Sequence, residues 1–414
     1  MNGEEFSALR EQVLTRLDLT REMPDEEVYD LVNDAVNEFS RSHRVSLSER
    51  EALVQQLFNS LRKFDVLQEL LEDEEITEIM VNGASHIFYE KRGRLYEADR
   101  QFVSKDKLND VIQQMAGISN RMVNEASPIV DTRLRDGSRV NIVLEPIAID
   151  GSAISIRKFP SHPIRMEELI AGGSLTEEAA EFLQALVQAG YNIFISGGTG
   201  SGKTTTLYMV LQTIAERQVN VSTIEDPAEL QLLDKPNLVR LETRNANTQG
   251  VEPIAIRDLI KTALRMRPTR VVVGECRGAE ALDVLQVMNT GHDGSLSTGH
   301  ANSCRDMLSR LETMVLMGME LPLPAIRSQI ASGIDILVHL GRLRDKSRRV
   351  LNITEVLAVE QGEIRLNEIF RFVESGEEAG RVCGGLKCVG TLQHREKCRM
   401  AGVLLPTLEV EHGL

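Results

Sequence analysis

The chain has 414 residues and a net charge of −15, a balance that argues against a broad nucleic-acid-binding surface and leaves room only for a local basic patch. Hydrophobic residues make up 42%, aromatics only 4%, and Trp is absent, so the core must be aliphatic; the length predicts about two or three domains. No apolar run approaches the roughly 18 residues of a membrane span, the start MNGEEFSALREQ is unlike a signal peptide, and the cysteine pattern is no secreted disulfide framework, so the expectation is a cytoplasmic chain.

Residues 1–65 read as a charged helical segment. Val28, Leu31, Val32, Ala35, Val36 and Phe39 recur at helical spacing, as do Leu53, Val54, Leu57, Phe58, Leu61 and Phe64. Ser48 and Glu51 have capping-box spacing ahead of the second stripe. Such stripes are packing faces or, more sharply, a partner-docking module. Residues 66–160 change to short alternating segments, Ile76–Val81 and His86–Glu90, with Arg92-Gly93 as a turn. A helix over Lys105–Gly117 follows, then strands at Ile129–Leu134, Arg139–Leu144 and Ala153–Phe159. This is a small mixed α/β domain carrying Arg133, Arg135, Arg139 and Arg157. Those arginines are either solvated strand edges or phosphate contacts offered to a neighbouring domain.

Pro160 to Gly173 is rich in Pro and Gly, which places a linker over 161–173. From Ser174 helix and strand alternate, predicting a parallel sheet with helices on both faces over 174–375. Strands are expected at Val219–Ile224, Val271–Gly274 and Ser295–Thr298, and at Asp335–Leu340, Val350–Val359 and Glu363–Phe370. Residues 376–414 remain as a tail.

The stretch YNIFISGGTGSGKTTTL carries the strongest chemical signal. A buried strand ends at Gly197-Gly198-Thr199-Gly200-Ser201-Gly202-Lys203-Thr204, and Thr205 to Ala215 is helix-compatible. Strand, glycine loop and helix together make a phosphate site. The glycines let successive N–H groups face one anion, and the helix start adds further donors. Lys203 would reach the β- and γ-phosphates and Thr204 would hold Mg²⁺. A chance glycine turn is the competing explanation; the flanking strand and helix weigh against it.

Hydrolysis needs a carboxylate near the γ-phosphate. Glu275 follows the apolar strand Val271–Gly274, where Gly274 stands in place of the usual Asp. Glu275 is expected to orient the attacking water and help order Mg²⁺ through water. Glu225 and Asp226, at the end of another strand, would lie near the metal. A solvated strand-end carboxylate is the alternative for each. His292 and His300 flank a short strand, as a γ-phosphate sensor or as structural residues; two histidines are too few for zinc. Cys383, Cys388, His394 and Cys398 could hold structural Zn²⁺, with coincidental free thiols preferred. Cys276 and Cys304 read as small apolar packing residues.

GGTGSGKTTTL, STIEDPAELQL and LIKTALRMRPTRVVVGECRGAEALDVLQVMNTGHDGSLSTGHANS together resemble the secretion ATPase superfamily of type II and type IV secretion and type IV pilus systems. The wording is most similar to the CpaF-like ATPases of tight-adherence (Flp) pilus assembly, and the likeness spans roughly residues 66–375. It implies an α/β fold: a RecA-like P-loop ATPase domain with a smaller mixed α/β N-terminal domain and a helical segment. It implies that Gly197, Gly198, Thr199, Gly200, Ser201, Gly202, Lys203, Thr204 and Thr205 bind ATP with Mg²⁺. By the same likeness Glu225, Asp226 and Glu229 form the aspartate box, Glu275 is the catalytic carboxylate, and His292 and His300 form the histidine box. Arg133 and Arg157 would reach the nucleotide from the small domain, with Arg139 a further candidate. The family assembles as a homohexamer on an inner-membrane platform protein, which implies peripheral association at the cytoplasmic face. A conjugative transfer motor of the same fold is the alternative. Gly299 departs from a family slot usually bulkier, which predicts a looser hold on His300.

Overall fold

The computed structural model describes residues 3–18, 20–21, 23–43, 45–91, 93–119, 121–159, 165–214, 220–226, 228–230, 237–244 and 252–411. Arg92, Pro160, Ala215, Val219 and Pro227, each read above as part of a turn, linker, helix, strand or acidic box, lie outside them, as do residues 161–164 of the expected linker. The chain divides into two compact units, Met1–His162 and Pro163–Leu414.

The first unit opens with helices α1 (Gly3–Leu14), α2 (Asp25–Ser42) and α3 (Leu47–Arg62). The two predicted stripes bury Val28, Val32, Ala35 and Val36 of α2 against Leu53, Val54, Leu57 and Phe58 of α3. Two details differ from the sequence reading. The cap of α3 is Ser46 with Glu49, not Ser48 with Glu51: Glu49 N donates to Ser46 Oγ at 3.3 Å and Ser46 N donates to Glu49 Oε2 at 2.8 Å. Both pairs have the right spacing, and the pair that caps is the one at which the backbone turns from extended to helical. Phe64 lies beyond the end of α3 and packs against the core of the sheet that follows.

That sheet is built from α4 (Leu67–Glu72), β1 (Ile76–Asn82), β2 (His86–Lys91), β3 (Arg94–Glu97), α5 (Lys105–Ile118), β4 (Ile129–Arg133), β5 (Arg139–Val143) and β6 (Ala153–Arg157). The strands run antiparallel in the order β3-β2-β1-β6-β5-β4. Alternation puts Ile79, Val81, Val140, Ile142, Ile154 and Ile156 on one face, where they meet Leu108, Val111, Ile112 and Met115 of α5. On the other face the register pairs Arg133 with Arg139 and Arg139 with Arg157. Three arginines separated in sequence become one cross-strand row.

The second unit begins with α6 (Met166–Ala171) and α7 (Glu177–Gln188). Residues 166–171, expected to be linker, are helical because Met166 buries in the same core as Ala179 and Phe182. Next come β7 (Ile193–Gly197), α8 (Lys203–Gln212), β8 (Val221–Glu225), β9 (Leu238–Glu242), α9 (Ile256–Leu264), β10 (Arg270–Cys276), α10 (Ala281–Asn289), β11 (Leu296–His300), α11 (Cys304–Gly318) and α12 (Leu323–Gly333). The unit closes with β12 (Ile336–Arg342), β13 (Arg348–Glu360), β14 (Glu363–Glu378), β15 (Arg381–Cys388) and α13 (Glu396–Ala401). The sheet order is β15-β14-β13-β12-β7-β11-β10-β8-β9. The run from β12 to β9 is parallel, as expected, while β12 to β15 pair antiparallel. Alternating side chains of β7 split between two cores: Ile193 and Ile195 meet α7 and α8, and Phe194 meets the α10–α12 side. Buried strands of this kind read as continuous apolar runs.

Helix α12 escaped the sequence reading because Pro322 and Pro324 resemble a breaker; both sit at its start, where a missing N–H costs nothing. The expected tail is also structured. β15 pairs with β14, and Leu392 and Cys398 are buried in the same core as Tyr191 and Phe370.

Candidate functional site

Strand β7 is wholly buried and ends at Gly197, and α8 begins at Lys203. Gly200 and Gly202 between them have φ of 68° and 98°, a region that favours glycine. Gly197 is required for another reason. A Cβ there would lie 2.5 Å from Ser201 Oγ and 2.6 Å from the Leu340 carbonyl oxygen. Ser201 is buried and its Oγ has no hydrogen-bond partner among the described residues. A buried orphan hydroxyl, a glycine loop and the open N–H groups of a helix start fit a phosphate. Thr204 and Thr205 lie half-buried in the first turn of α8.

Lys203 is buried, and its Nζ donates to the carbonyls of Gly197 (3.1 Å) and Gly198 (2.9 Å). It also lies 3.3 Å from His300 Nδ1. His300 Nε2 in turn lies 2.7 Å from Glu275 Oε1. This is an electrostatic approach and not an aligned hydrogen bond, since Oε1 has no hydrogen-bond partner among the described residues. The other carboxylate oxygen, Oε2, accepts from Arg277 Nε (2.8 Å) and Nη2 (2.5 Å). Arg277, Glu275, His300 and Lys203 thus form one continuous chain of contacts ending at the phosphate loop. Burial pushes the His300 imidazole below its ordinary value, Lys203 adds to the push, and Glu275 opposes it. A neutral ring is consistent with both contacts: Nδ1 accepts from the ammonium and Nε2 carries the proton.

The local fold explains how Glu275 arrives there. Strand β10 pairs Val273 with Ser297 but Cys276 with Gly299, so three steps on β10 face two on β11. Such a bulge re-aims a side chain. Thr298 Oγ1 ties the two strands by donating to the Gly274 carbonyl at 2.7 Å. Gly274 itself leaves space for a neighbour: a Cβ there would lie 2.9 Å from Glu225 Cγ. The Asp expected at that position would therefore collide with Glu225.

Glu225, at the end of β8, is buried, and its carboxylate accepts from Glu229 N (2.8 Å) and Leu230 N (3.0 Å). Burial raises its pKa, against the pull of those two N–H groups. Here it shapes the loop that follows it. Asp226 is exposed, and its Oδ1 accepts from Thr243 Oγ1 at 2.5 Å.

The two box histidines do not come together. His300 pairs with Gly197 at the carboxyl end of the sheet, whereas His292 precedes Leu296, which pairs with Ile193 at the other end of the same strands. The predicted loosening at Gly299 does not arise either. A Cβ there would lie 3.0 Å from both Met307 Cε and Phe194 Cε1, so these side chains already fill the slot. Arg277 was missed by sequence reasoning. Its signal was available: it stands two residues after Glu275 on an extended segment, where i and i+2 share a face. Arg133 and Arg157 belong to the first unit, in the row described above. Among the described residues no cluster of three or more His, Cys, Asp or Glu could hold a metal ion. Cys398 Sγ instead contacts Tyr191 Oη (3.5 Å) and Cys388 Sγ the Gly390 carbonyl (3.3 Å).

Residues 60–395 match the family described as "Type II/IV secretion system protein". The chain belongs to this family. One relative is the type IV secretion system protein VirB11 of Brucella suis biovar 1, 32% identical over 318 residues, covering 70% of this chain and 88% of that protein. Another, from Sinorhizobium fredii, is named "Probable conjugal transfer protein TrbB"; it is 30% identical over 316 residues, covering 76% of this chain and 93% of that protein. Among solved structures, the pilus retraction motor PilT with bound ADP superposes with a TM-score of 0.51 at 18% identity, covering 82% of this chain and 87% of that one. At that identity the likeness shows the fold, which is the RecA-like ATPase fold of the secretion family. No helix among the described residues is long and apolar enough to cross a membrane.

Proposed function

We propose that this secretion-family chain is an ATP-hydrolysing motor that drives tight-adherence (Flp) pilus assembly or protein secretion. The observation that carries the reading is the contact chain from Arg277 through Glu275 and His300 to Lys203 at the phosphate loop. ATP with Mg²⁺, when bound, supplies the bond to be cleaved and a cation that offsets its charge. Residues Gly197–Thr205 cradle the phosphates with backbone N–H groups, and Lys203 leaves its carbonyl partners for them. Thr204 would hold the metal directly, and Glu225, Asp226 and Glu275, which among the described residues form no ion-binding cluster of their own, would act on it through water. Glu275 orients the attacking water through Oε1, the oxygen Arg277 leaves open. His300 follows the γ-phosphate by exchanging partners with Lys203. Arg133 and Arg157, with Arg139 as a further candidate, add positive charge against what develops on the phosphoryl group. The working form is a homohexamer bound at the cytoplasmic face of an inner-membrane platform protein, with no direct nucleic-acid contact. The domain reading stands beside it: a helical segment, a small α/β domain, a linker and an ATPase domain.

Phosphate release tests this. Glu275→Gln should lose at least about a hundredfold in turnover, as for removal of a positioning carboxylate, while still binding ATP. Wild type and variant hydrolysing equally slowly would sink the motor reading. A second reading, a motor for type IV secretion or conjugative transfer, is favoured by the names of the relatives VirB11 and TrbB. A gene-deletion strain separates the two: loss of surface pili with DNA transfer intact supports the first, and the converse supports the second.

A further inference from the structure

The β12–β13 hairpin runs past the end of the phosphate-loop strand. Pairing of β12 with β7 stops at Leu340 and Gly197, while β12 continues to Arg342, which pairs with Arg348 of β13. The hairpin tip therefore overhangs the loop on the side of β7 away from β11 and β10. The tip is basic, and most of its cations are engaged. Arg344 pairs with Glu374 and Glu377, Arg349 Nη1 donates to the Gly172 carbonyl at 3.1 Å, and Arg342 Nε donates to the Lys346 carbonyl at 3.3 Å.

Arg348 differs from these. It is exposed, and its side chain takes no hydrogen bond or ion pair among the described residues. Its Cδ lies 3.8 Å from where a Cβ on Gly202 would stand, and Leu340 Cδ2 lies at the same distance. The stem thus packs beside the last glycine before Lys203, and the residue stays exposed.

A nucleoside triphosphate has two ends. Lys203, His300 and Glu275 gather on the β11–β10 side of the loop and mark the γ-phosphate end. The nucleoside must leave on the opposite side, under the β12–β13 tip. There the chain presents an unengaged planar cation, Arg348, seated over Leu340, which is itself buried in the core. We infer that Arg348 is a nucleotide-binding residue whose guanidinium stacks on the base of the bound nucleotide, an inference that rests on the ATPase reading above. A guanidinium is attracted to an aromatic face and stacks as a plane, which a lysine ammonium does not reproduce. Stacking reads ring area and not the hydrogen-bonding edge, so ATP and GTP bind alike and CTP more weakly.

The test is equilibrium binding of ATP, GTP, CTP and inorganic tripolyphosphate to the full chain, for wild type, Arg348→Ala, Arg348→Lys and Lys203→Ala. Arg348→Ala should weaken ATP and GTP about tenfold, leave tripolyphosphate within about twofold of wild type, and raise KM with kcat kept. Arg348→Lys should recover little. Unchanged ATP affinity in Arg348→Ala, or equal weakening of ATP and tripolyphosphate, overturns the assignment. If the alanine variant does not fold, Arg348→Lys decides alone: wild-type affinity for ATP overturns the stacking role. Wild type binding tripolyphosphate no tighter than Lys203→Ala would instead remove the ATPase reading itself.

Discussion

His300 sits between a cation and an anion, and its protonation state decides which contacts it can make. Its pKa is depressed below 6.5 by burial first and by Lys203 second. A depressed folded value means the unfolded chain takes up the proton first as pH falls. The neutral ring's contribution to stability is therefore complete above 6.5 and is lost as pH drops through the lower folded value. A protonated ring would also set a second cation against Lys203 and could no longer accept from it. Under the ATPase reading, turnover should hold from neutral pH past 6.5 and fall only as pH drops through the lowered folded value. A pH–rate profile of wild type against His300→Gln checks this: the acid limb attributable to the ring should vanish in the variant, and an identical limb in both would assign the titration elsewhere.

At the scale of elements, the edge where β7, β11, β10 and β8 end is what converts scattered residues into a site. Parallel pairing delivers Gly197, His300, Glu275 and Glu225 to one rim, the location expected for ligands of open α/β sheets. The bulge in β10 and the packing of Gly299 refine that rim. Gly299 is held between Phe194 and Met307, so a branched side chain there must displace them. Gly299→Ile should lower stability by about 1–3 kcal/mol through overpacking, read as a lower thermal midpoint. Met307→Ala in the same chain should recover part of the loss, because it removes the flexible atoms in the way. A midpoint equal to wild type for the single variant would show that the slot can open without cost.

Across the whole second unit, the C-terminal segment acts as part of the ATPase fold. Glu355 is buried, and its carboxylate accepts from Gln393 N (2.9 Å), His394 N (2.8 Å) and Asn367 Nδ2 (2.7 Å). Tyr191 Oη donates to the His394 carbonyl at 2.6 Å, and Lys397 bridges Asp293 (2.9 Å) and Asp335 (2.7 Å). Truncation after Gly390 would strip Glu355 of two of those donors and expose the core at Leu392 and Cys398. We expect a loss of about 3–5 kcal/mol, the cost of breaking a buried charge's partners, visible in denaturant unfolding. Glu355→Gln in the truncated chain should return part of it. A truncated chain as stable as the full one would show that the segment is dispensable for folding.

The phosphate loop, Glu275 and the helical stripes were legible because each is local: a glycine spacing, an apolar strand with a terminal acid, a 3.6-residue period. Local patterns also admit shifts of a residue or two, which is why Ser46 and not Ser48 caps α3. What the sequence could not decide was every relation that depends on pairing between distant strands. The arginine row of the small sheet, the separation of His292 from His300, the collision that makes Gly274 necessary and the approach of Arg348 to Gly202 are all set by register. Register follows from which apolar faces bury together in three dimensions, and a single strand's sequence does not state its partner. The sequence by itself thus determined which chemical groups this chain possesses; the tertiary structure decided which of them share a rim.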